Sequence, residues 1–350
     1  IGQLVAKLAE NGDIIAEDER EIREMLVARF AANSMSDPAR ILRDTTYIAT
    51  LNDITNTITQ FGDLAFSVYK FGFENTYKGL MKPFEIRKED LGLNDLAYEF
   101  ANPTLLAKWI KKQFEIIGLS RIDGLGKNTY IQASILDAQK QIKKNNAVFD
   151  NKLKALFGDN IEEVKKDLLE GKTTDNTIIF TFNELADIQP ISEDQTPELY
   201  NNGGSFMRLF YTLKTYGIKA LDVARNDITM KIEEGIRTKN KKLAKEGLKN
   251  LVRLQMLLWL FGVPNDALKD LLSNRDFNLF ETMIDNLIPA FLVNRYMFRT
   301  AGKEGVGAAV VSFFSPACIN VIENTGKSYA ISNIPLIGKP LYNWGIKNNK

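Results

Sequence analysis

The sequence predicts a mostly α-helical protein, an elongated multi-helix assembly with at most a short β-hairpin near its middle. Three observations predict it. Apolar residues recur at three- and four-residue steps through most of the chain, and alternating stretches are nearly absent. A 350-residue chain that is 45% hydrophobic and 25% charged can build one large core or two medium ones, and it is neither collagen-like nor largely disordered.

Taken in order, residues 1–32 predict two short helices split by Asn11 and Gly12, with Ile15, Ile22, Met25 and Leu26 as an apolar stripe. The opposite face carries Glu17, Asp18, Glu19, Glu21 and Glu24, interleaved with Arg20, Arg23 and Arg29, which reads as a solvated surface rather than a metal site. Opening on Ile1 with this acidic stretch, instead of Met and a basic leader, the chain is expected to be a piece of a longer polypeptide. Helices are predicted over 53–81, over 105–119 after Pro103, over 128–157 and over 161–169. In 105–119, the row Leu106, Ile110, Phe114 and Ile117 lies beside Leu105, Trp109 and Ile116, two adjoining stripes that predict deep burial. Residues 177–182, TIIFTF, are the best strand candidate. They sit among Gly171, Pro190, Pro197 and the NNGG of 201–204, so a boundary or hinge is expected there.

Beyond it a long helix is expected, with Phe206, Phe210, Leu213, Gly217, Leu221, Ala224 and Ile228 along one side. From Arg208 to Gln255 twelve Lys and Arg face five Asp and Glu, which makes this the one marked basic region. Lys239, Lys241, Lys242, Lys245 and Lys249 form its centre, a candidate nucleic-acid contact or a solvated turn between two helices. No aromatic residue interleaves with them, against single-strand binding. The last hundred residues are the most apolar, with runs at 251–263, 287–298 and 305–322. Leu257, Leu258, Trp259, Phe261, Phe291, Phe313 and Phe314 are the candidate subunit or membrane contacts there, and Arg253 and Arg295 are expected at interface edges or paired with carboxylates. A chain without residues 251–350 is accordingly expected to remain a soluble monomer. The run at 305–322 is at the lower limit of a membrane span, and its Gly, Ser and Pro residues favour a buried helix bent at Pro316.

Composition narrows the chemistry. Forty-five basic against 44 acidic residues leave +1, so no global field recruits nucleic acid or anionic lipid. The absence of histidine removes the commonest general base, the commonest metal ligand and every Ser-His or Cys-His pair. A lone Cys318 excludes an intrachain disulfide and a cysteine-rich metal site, and its apolar neighbours make it a small hydrophobe. The GLGKNT of 124–129 and the TGKS of 325–328 imitate phosphate loops, but the first glycine of a Walker loop is replaced by Arg121 and Val321. The GVGAAV of 305–310 lacks the third glycine of a dinucleotide fingerprint. No catalytic residue, cofactor or metal is therefore expected.

Several phrases carry a resemblance. LNDITNTITQFGDLA at 51–65, DIQPIS at 187–192 with PELY at 197–200, YTLKTY at 211–216 running into LDVAR at 221–225, and IPLIGK at 334–339 occur in order over most of the chain. They resemble the helical regions of large polyvalent, virion-associated proteins of tailed bacteriophages. The resemblance implies a non-enzymatic internal or ejection protein, housed in the virion and delivered with the genome to the host envelope or cytoplasm. Its implied partners are copies of itself, portal, tail or internal core proteins, phage DNA and, after ejection, the host membrane. The alternatives are a non-catalytic module of a co-injected enzyme or antirestriction polypeptide, and a membrane-active channel component. The expected organisation is an N-terminal helical region (1–172), a linker or hinge with a possible strand (173–205) and a C-terminal hydrophobic helical region (206–350).

Overall fold

Helices account for every regular element in the computed structural model, which describes residues 36–51, 64–82, 86–91, 112–188, 204–211, 222–272 and 276–287, together with positions 12, 15, 20 and 22. In chain order they are α1 (Asp37–Leu51), α2 (Leu64–Met81), α3 (Leu119–Lys143), α4 (Ala147–Phe157), α5 (Ile161–Glu170), α6 (Asp175–Ala186), α7 (Gly204–Tyr211), α8 (Met230–Arg237), α9 (Lys241–Leu272) and α10 (Leu279–Leu287). A π-helical turn, Arg225–Thr229, leads into α8. The described residues form a multi-helix protein without a strand.

The helix expected over 53–81 is described from Leu64 onward and is broken inside, because Gly72 adopts φ 84° and ψ 162°. Only glycine holds that conformation without strain. Beside the break, the Asn75 side chain donates Nδ2 to the Phe71 carbonyl at 3.0 Å. After the break, Gly79 lets α2 lie close against α3. A Cβ at Gly79 would come within 2.9 Å of the Thr129 carbonyl oxygen. The helix expected over 128–157 proves to be two, since Asn145 (φ 48°) turns the chain and Asn146 caps α4 by accepting from the Val148 N–H at 3.0 Å. Of the two stripes expected over 105–119, Phe114 and Ile117 are buried, whereas Ile116 faces outward.

The strand candidate at 177–182 is helical, and this corrects the sequence reading. Thr174 and Thr177 form a reciprocal capping box, and Asp175 sits in the first turn, where it complements the helix dipole. Thr181 turns its hydroxyl back to the Thr177 carbonyl at 2.7 Å. Phe180 and Leu185 are buried against neighbouring helices, and that packing outweighs the β preference of the threonine and isoleucine side chains.

Among the described residues, two clusters hold the helices together. A smaller one gathers Ala138, Leu153, Val164, Leu168 and Phe180 from α3 to α6, with Phe149 meeting Phe180 edge-on at 6.1 Å. The larger one draws Phe66 and Tyr69 from α2, Tyr130, Ile131 and Ile135 from α3, Leu185 at the end of α6, Ile228 from the π-turn and Leu254 from α9. It thus takes side chains from both sides of residues 173–205. Each fully buried leucine or isoleucine contributes about 1.5–3 kcal/mol, so removing α9's share would unseat α2 and α3. Cutting the chain at 251 would take Leu254 out of this core, together with Leu251, Leu257 and Leu258 packed against it.

Glycines also set the packing of α9. The outer turn of the α8–α9 hairpin is Thr238, Lys239 (φ 55°) and Asn240, whose Oδ1 accepts from the Lys242 and Leu243 N–H groups. Below it, a Cβ on Gly235 would lie 2.8 Å from the Ala244 Cα, and one on Gly247 would lie 2.7 Å from Ile232 Cγ1. On the far side, Gly262 leaves room for the Asn286 amide of α10, and Trp259 Nε1 donates to the Met283 carbonyl at 2.9 Å. α9 continues through Pro264, which has no N–H for the carbonyl four residues earlier.

The glycine contacts can be tested by substitution. Gly235→Ala and Gly247→Ala should each lower unfolding stability by about 1–3 kcal/mol through overpacking, whereas Gly126→Ala in α3, with nothing within 4 Å of the added carbon, should raise it by about 0.4–1 kcal/mol. Equal effects at all three sites in urea titrations would refute the close α8–α9 contact. Asp137 offers a pH test. Burial raises its carboxyl above the ordinary value, against the hydrogen bond from Gln141 and the positive charge of Lys140. Its ionised form is thus the costly one, with the cost present above the raised folded pKa and gone below the unfolded one. Asp137→Asn should stabilise most at neutral pH, the advantage shrinking as pH falls through the carboxylate range; a growing advantage in acid would contradict the sign.

Candidate functional site

The outward face of the α8–α9 hairpin is the surface whose chemistry the fold leaves unused. Lys239 stands in the exposed turn, and Lys241, Lys242, Lys245 and Lys249 are exposed on the first turns of α9. Sequence reading places these lysines in a turn between two helices; the structure puts four of the five on a helix, which fixes their spacing. Among the described residues none of the five makes an ion pair. The neighbouring acid, Glu246, is taken by Lys231 of α8 at 2.7 Å. Lys241, Lys245 and Lys249, four residues apart, repel one another, and Lys241 and Lys242 in the first turn oppose the positive end of the dipole, costs that an anionic partner would relieve.

The same face becomes apolar further along. Leu248, Val252, Met256 and Leu260 recur every fourth residue and are 55%, 49%, 62% and 59% exposed. Of the residues singled out from sequence, Leu257 and Leu258 are half-buried against the central core instead. Trp259 is half-buried and bonded to α10, and Phe261 is half-buried. The residues singled out from sequence on α9 thus pack partly inward, while the exposed row is Leu248, Val252, Met256 and Leu260, because α9 is apolar on both sides. The i, i+4 recurrence of Leu248, Val252, Met256 and Leu260 was the available signal. Phe291, Phe313, Phe314 and Arg295 lie outside the described residues.

Among the described residues Arg253 makes no ion pair with a carboxylate. Its Nη2 donates to the Val68 carbonyl at 3.1 Å, and its guanidinium lies 5.7 Å from the Tyr69 ring centroid, a cation–π contact. Tyr69 belongs to a polar seam where α2, α6 and the π-turn meet. Lys70 Nζ stands 3.9 Å from both Asp187 and Asp227. Burial, then the charge and hydrogen bond of Asp227, push the Tyr69 hydroxyl far above its usual range. Tyr130 is fully buried, and burial with the charges of Glu184, Asp187 and Asp227 raises it well above that range too. These phenols stay protonated, and the nearby carboxylates are engaged: Glu184 by Lys152, Asp227 by Lys70 and Tyr69. The seam was not visible in sequence because its members are scattered from Tyr69 to Arg253 without a motif.

The remaining candidates resolve by position. The phosphate-loop imitation at 124–129 lies within α3, so its backbone N–H groups are spent on helical bonds and cannot curl round an anion; the Lys88 side chain packs over Gly124 there. The fragments at 305–310 and 325–328, Cys318, and most of the acidic stretch at 17–24 lie outside the described residues. Among the described residues no group of three or more Asp, Glu, Cys or His is placed to hold a metal ion, and no helix is long and apolar enough to cross a membrane. The run at 305–322 lies outside them too. No protein-family model, curated protein or solved structure matches this chain.

If the lysine end meets nucleic acid, replacing Lys241, Lys242 and Lys245 with Gln should lower the slope of log affinity against log salt by about one for each phosphate no longer neutralised. Fluorescence anisotropy on duplex DNA over a salt series measures it. An unchanged slope, or no binding by the unaltered chain, would make this patch a solvated helix end.

Proposed function

We propose that this chain is a structural protein of a tailed-phage virion interior, which assembles with itself or with portal, tail or internal core proteins and assists delivery of the genome. The observation that carries the reading is the single outward face of α9, on which unpaired lysines run into an exposed apolar row. Such a face offers association and little else: it has fixed positive charge at one end, desolvation energy at the other, and no acid–base pair beside either. The resemblance of residues 51–65, 187–200, 211–225 and 334–339 to virion-associated phage proteins supplies the biological setting. Elsewhere in the described residues, ionisable pairs such as Lys127 with Asp123 (2.8 Å) and Arg43 with Asp44 (2.9 Å) join residues of one helix, as structural pairs do.

Location tests the reading. Quantitative mass spectrometry of gradient-purified particles should find the chain at several copies per virion, protected from protease until the capsid is opened and lost from particles that have ejected their DNA. A chain found only in infected-cell lysate and never in particles would refute it.

A further inference from the structure

We propose that the outward face of α2 beyond the Gly72 break is a stacking platform for single-stranded nucleic acid, with Phe73 and Tyr77 taking bases and the lysines beside them taking phosphates. The ring geometry carries the argument. Phe73 and Tyr77 stand four residues apart, 64% and 55% exposed, and their ring planes lie within 5° of parallel with centroids 6.4 Å apart. Rings in full face contact bring their carbons to about 3.5–4.0 Å, so at this separation neither ring covers the other and each leaves a π face to solvent. Met81 prolongs the row by one turn and is 67% exposed.

The other side of the helix fixes this face outward. Asn75, Thr76 and Gly79 are buried. The Asn75 amide donates to the Phe71 carbonyl at 3.0 Å and to Asp137 Oδ1 at 3.1 Å, and Gly79 lies too close to the Thr129 carbonyl for a Cβ to fit without a shift. Ahead of the break, Phe71 turns inward and meets the Tyr130 ring at 4.7 Å. This half of α2 cannot roll to tuck Phe73 and Tyr77 into the core without giving up those contacts. A platform held open before its ligand arrives loses little freedom on binding.

The charge beside the rings selects the occupant. Glu74, Lys78 and Lys82 run alongside Phe73, Tyr77 and Met81, one residue on. Lys140 of α3 joins them from the side and shares Glu74 with Lys78, the two ammonium groups standing 3.7 Å and 2.6 Å from its carboxylate oxygens. One carboxylate thus serves two cations. Lys82, whose N–H continues the helix to the Lys78 carbonyl, and Lys144, one turn beyond Lys140, are exposed and make no ion pair among the described residues. The nearby Asp137 is committed to Asn75 and Gln141. Open π faces flanked by surplus cations match an unpaired strand, whose bases are free to stack on a ring while its phosphates are drawn to the lysines. A duplex keeps its bases stacked on one another and offers the rings nothing to cover. The lysine end of α9, with no aromatic residue between Lys239 and Lys249, supplies charge alone.

The inference does not need the virion reading, and its test keeps the two apart. Fluorescence anisotropy of the full chain with a labelled oligothymidylate should show salt-dependent binding, stronger than to a duplex of the same length. Phe73→Ala with Tyr77→Ala should weaken it at least about tenfold with the helical circular dichroism signal unchanged, while Tyr77→Phe, which keeps the ring, should bind as before. Lys82→Gln with Lys144→Gln should lower the slope of log affinity against log salt by about 0.7 for each phosphate no longer neutralised. Crosslinking to an iodouracil-substituted strand locates the contact without any substitution, and trypsin should release the adduct on residues 71–78. No binding by the full chain, a folded double-alanine variant that binds as before, or a crosslink confined to the lysines of α9 overturns the proposal. So do rings needed only for binding phosphatidylglycerol vesicles. A chain that binds strands yet is absent from particles refutes the virion role alone, and one present in particles that ignores strands refutes this site alone.

Discussion

The inner side of α9 is fully committed, and most of the molecule's organisation depends on that constraint. A helix has a limited circumference, and among the described residues α2, the π-turn, α8 and α10 divide this one. Toward α8 the approach is so close that only Gly235 and Gly247 fit at the crossing. Toward α10 the contact is polar, with Trp259, Gln255 and the Asn286 amide exchanging hydrogen bonds with backbone and side chains. Toward α2 it is the buried Leu254 and the Arg253 side chain that meet the helix carrying Val68 and Tyr69. The residues left over, every fourth from Leu248 to Leu260, have nowhere to point but outward. Their exposure is a geometric consequence of what the other sides hold.

The polar seam beside Tyr69 makes that arrangement rigid. Apolar contacts alone let helices slide by a turn, because one leucine substitutes for another at little cost. Hydrogen bonds with fixed partners do not slide. The Asn250 amide donates to the Asp227 carbonyl at 2.9 Å, and Lys70 Nζ holds Asp187 and Asp227 at ion-pair distance, 3.9 Å from each. The π-turn Arg225–Thr229 brings Asp227 to this point by inserting an extra residue's worth of helix before α8. Leaving a buried Tyr130 hydroxyl without a partner among the described residues costs stability, about 1–3 kcal/mol by the usual desolvation penalty. The edge-on contact of Phe71 with the Tyr130 ring at 4.7 Å offsets part of it.

Helical character was legible in the sequence because a 3.6-residue period survives any tertiary context, and the expected helices over 161–169 and within 128–157 are present. What was not legible was decided by contacts between distant residues. TIIFTF at 177–182 has the composition of a strand, and only its capping box and the packing of Phe180 make it a helix; the box closes with a threonine instead of the glutamate that sequence patterns look for. The break at Gly72 looked like an ordinary glycine in a helix. On α9, Leu257 and Leu258 are as apolar as Val252 and Met256, so hydropathy could not choose which row faces the core. Gly235 and Gly247 held the answer, since small residues mark the close side of a helix pair, but they carry no hydrophobic signal.

The lysine end of α9 is then best understood through energetics rather than composition. Like charges at i, i+4 on one helix are mutually unfavourable, as for Lys241, Lys245 and Lys249, and cations in a first turn oppose the dipole, as for Lys241 and Lys242; each effect is a few tenths of a kcal/mol. The chain had an inexpensive remedy, because Glu246 lies among them, yet Glu246 is drawn across the hairpin to Lys231. A small local instability is thus left standing next to an exposed apolar row on a helix whose other sides are fixed. An anionic group would relieve that charge, and an apolar surface would bury that row.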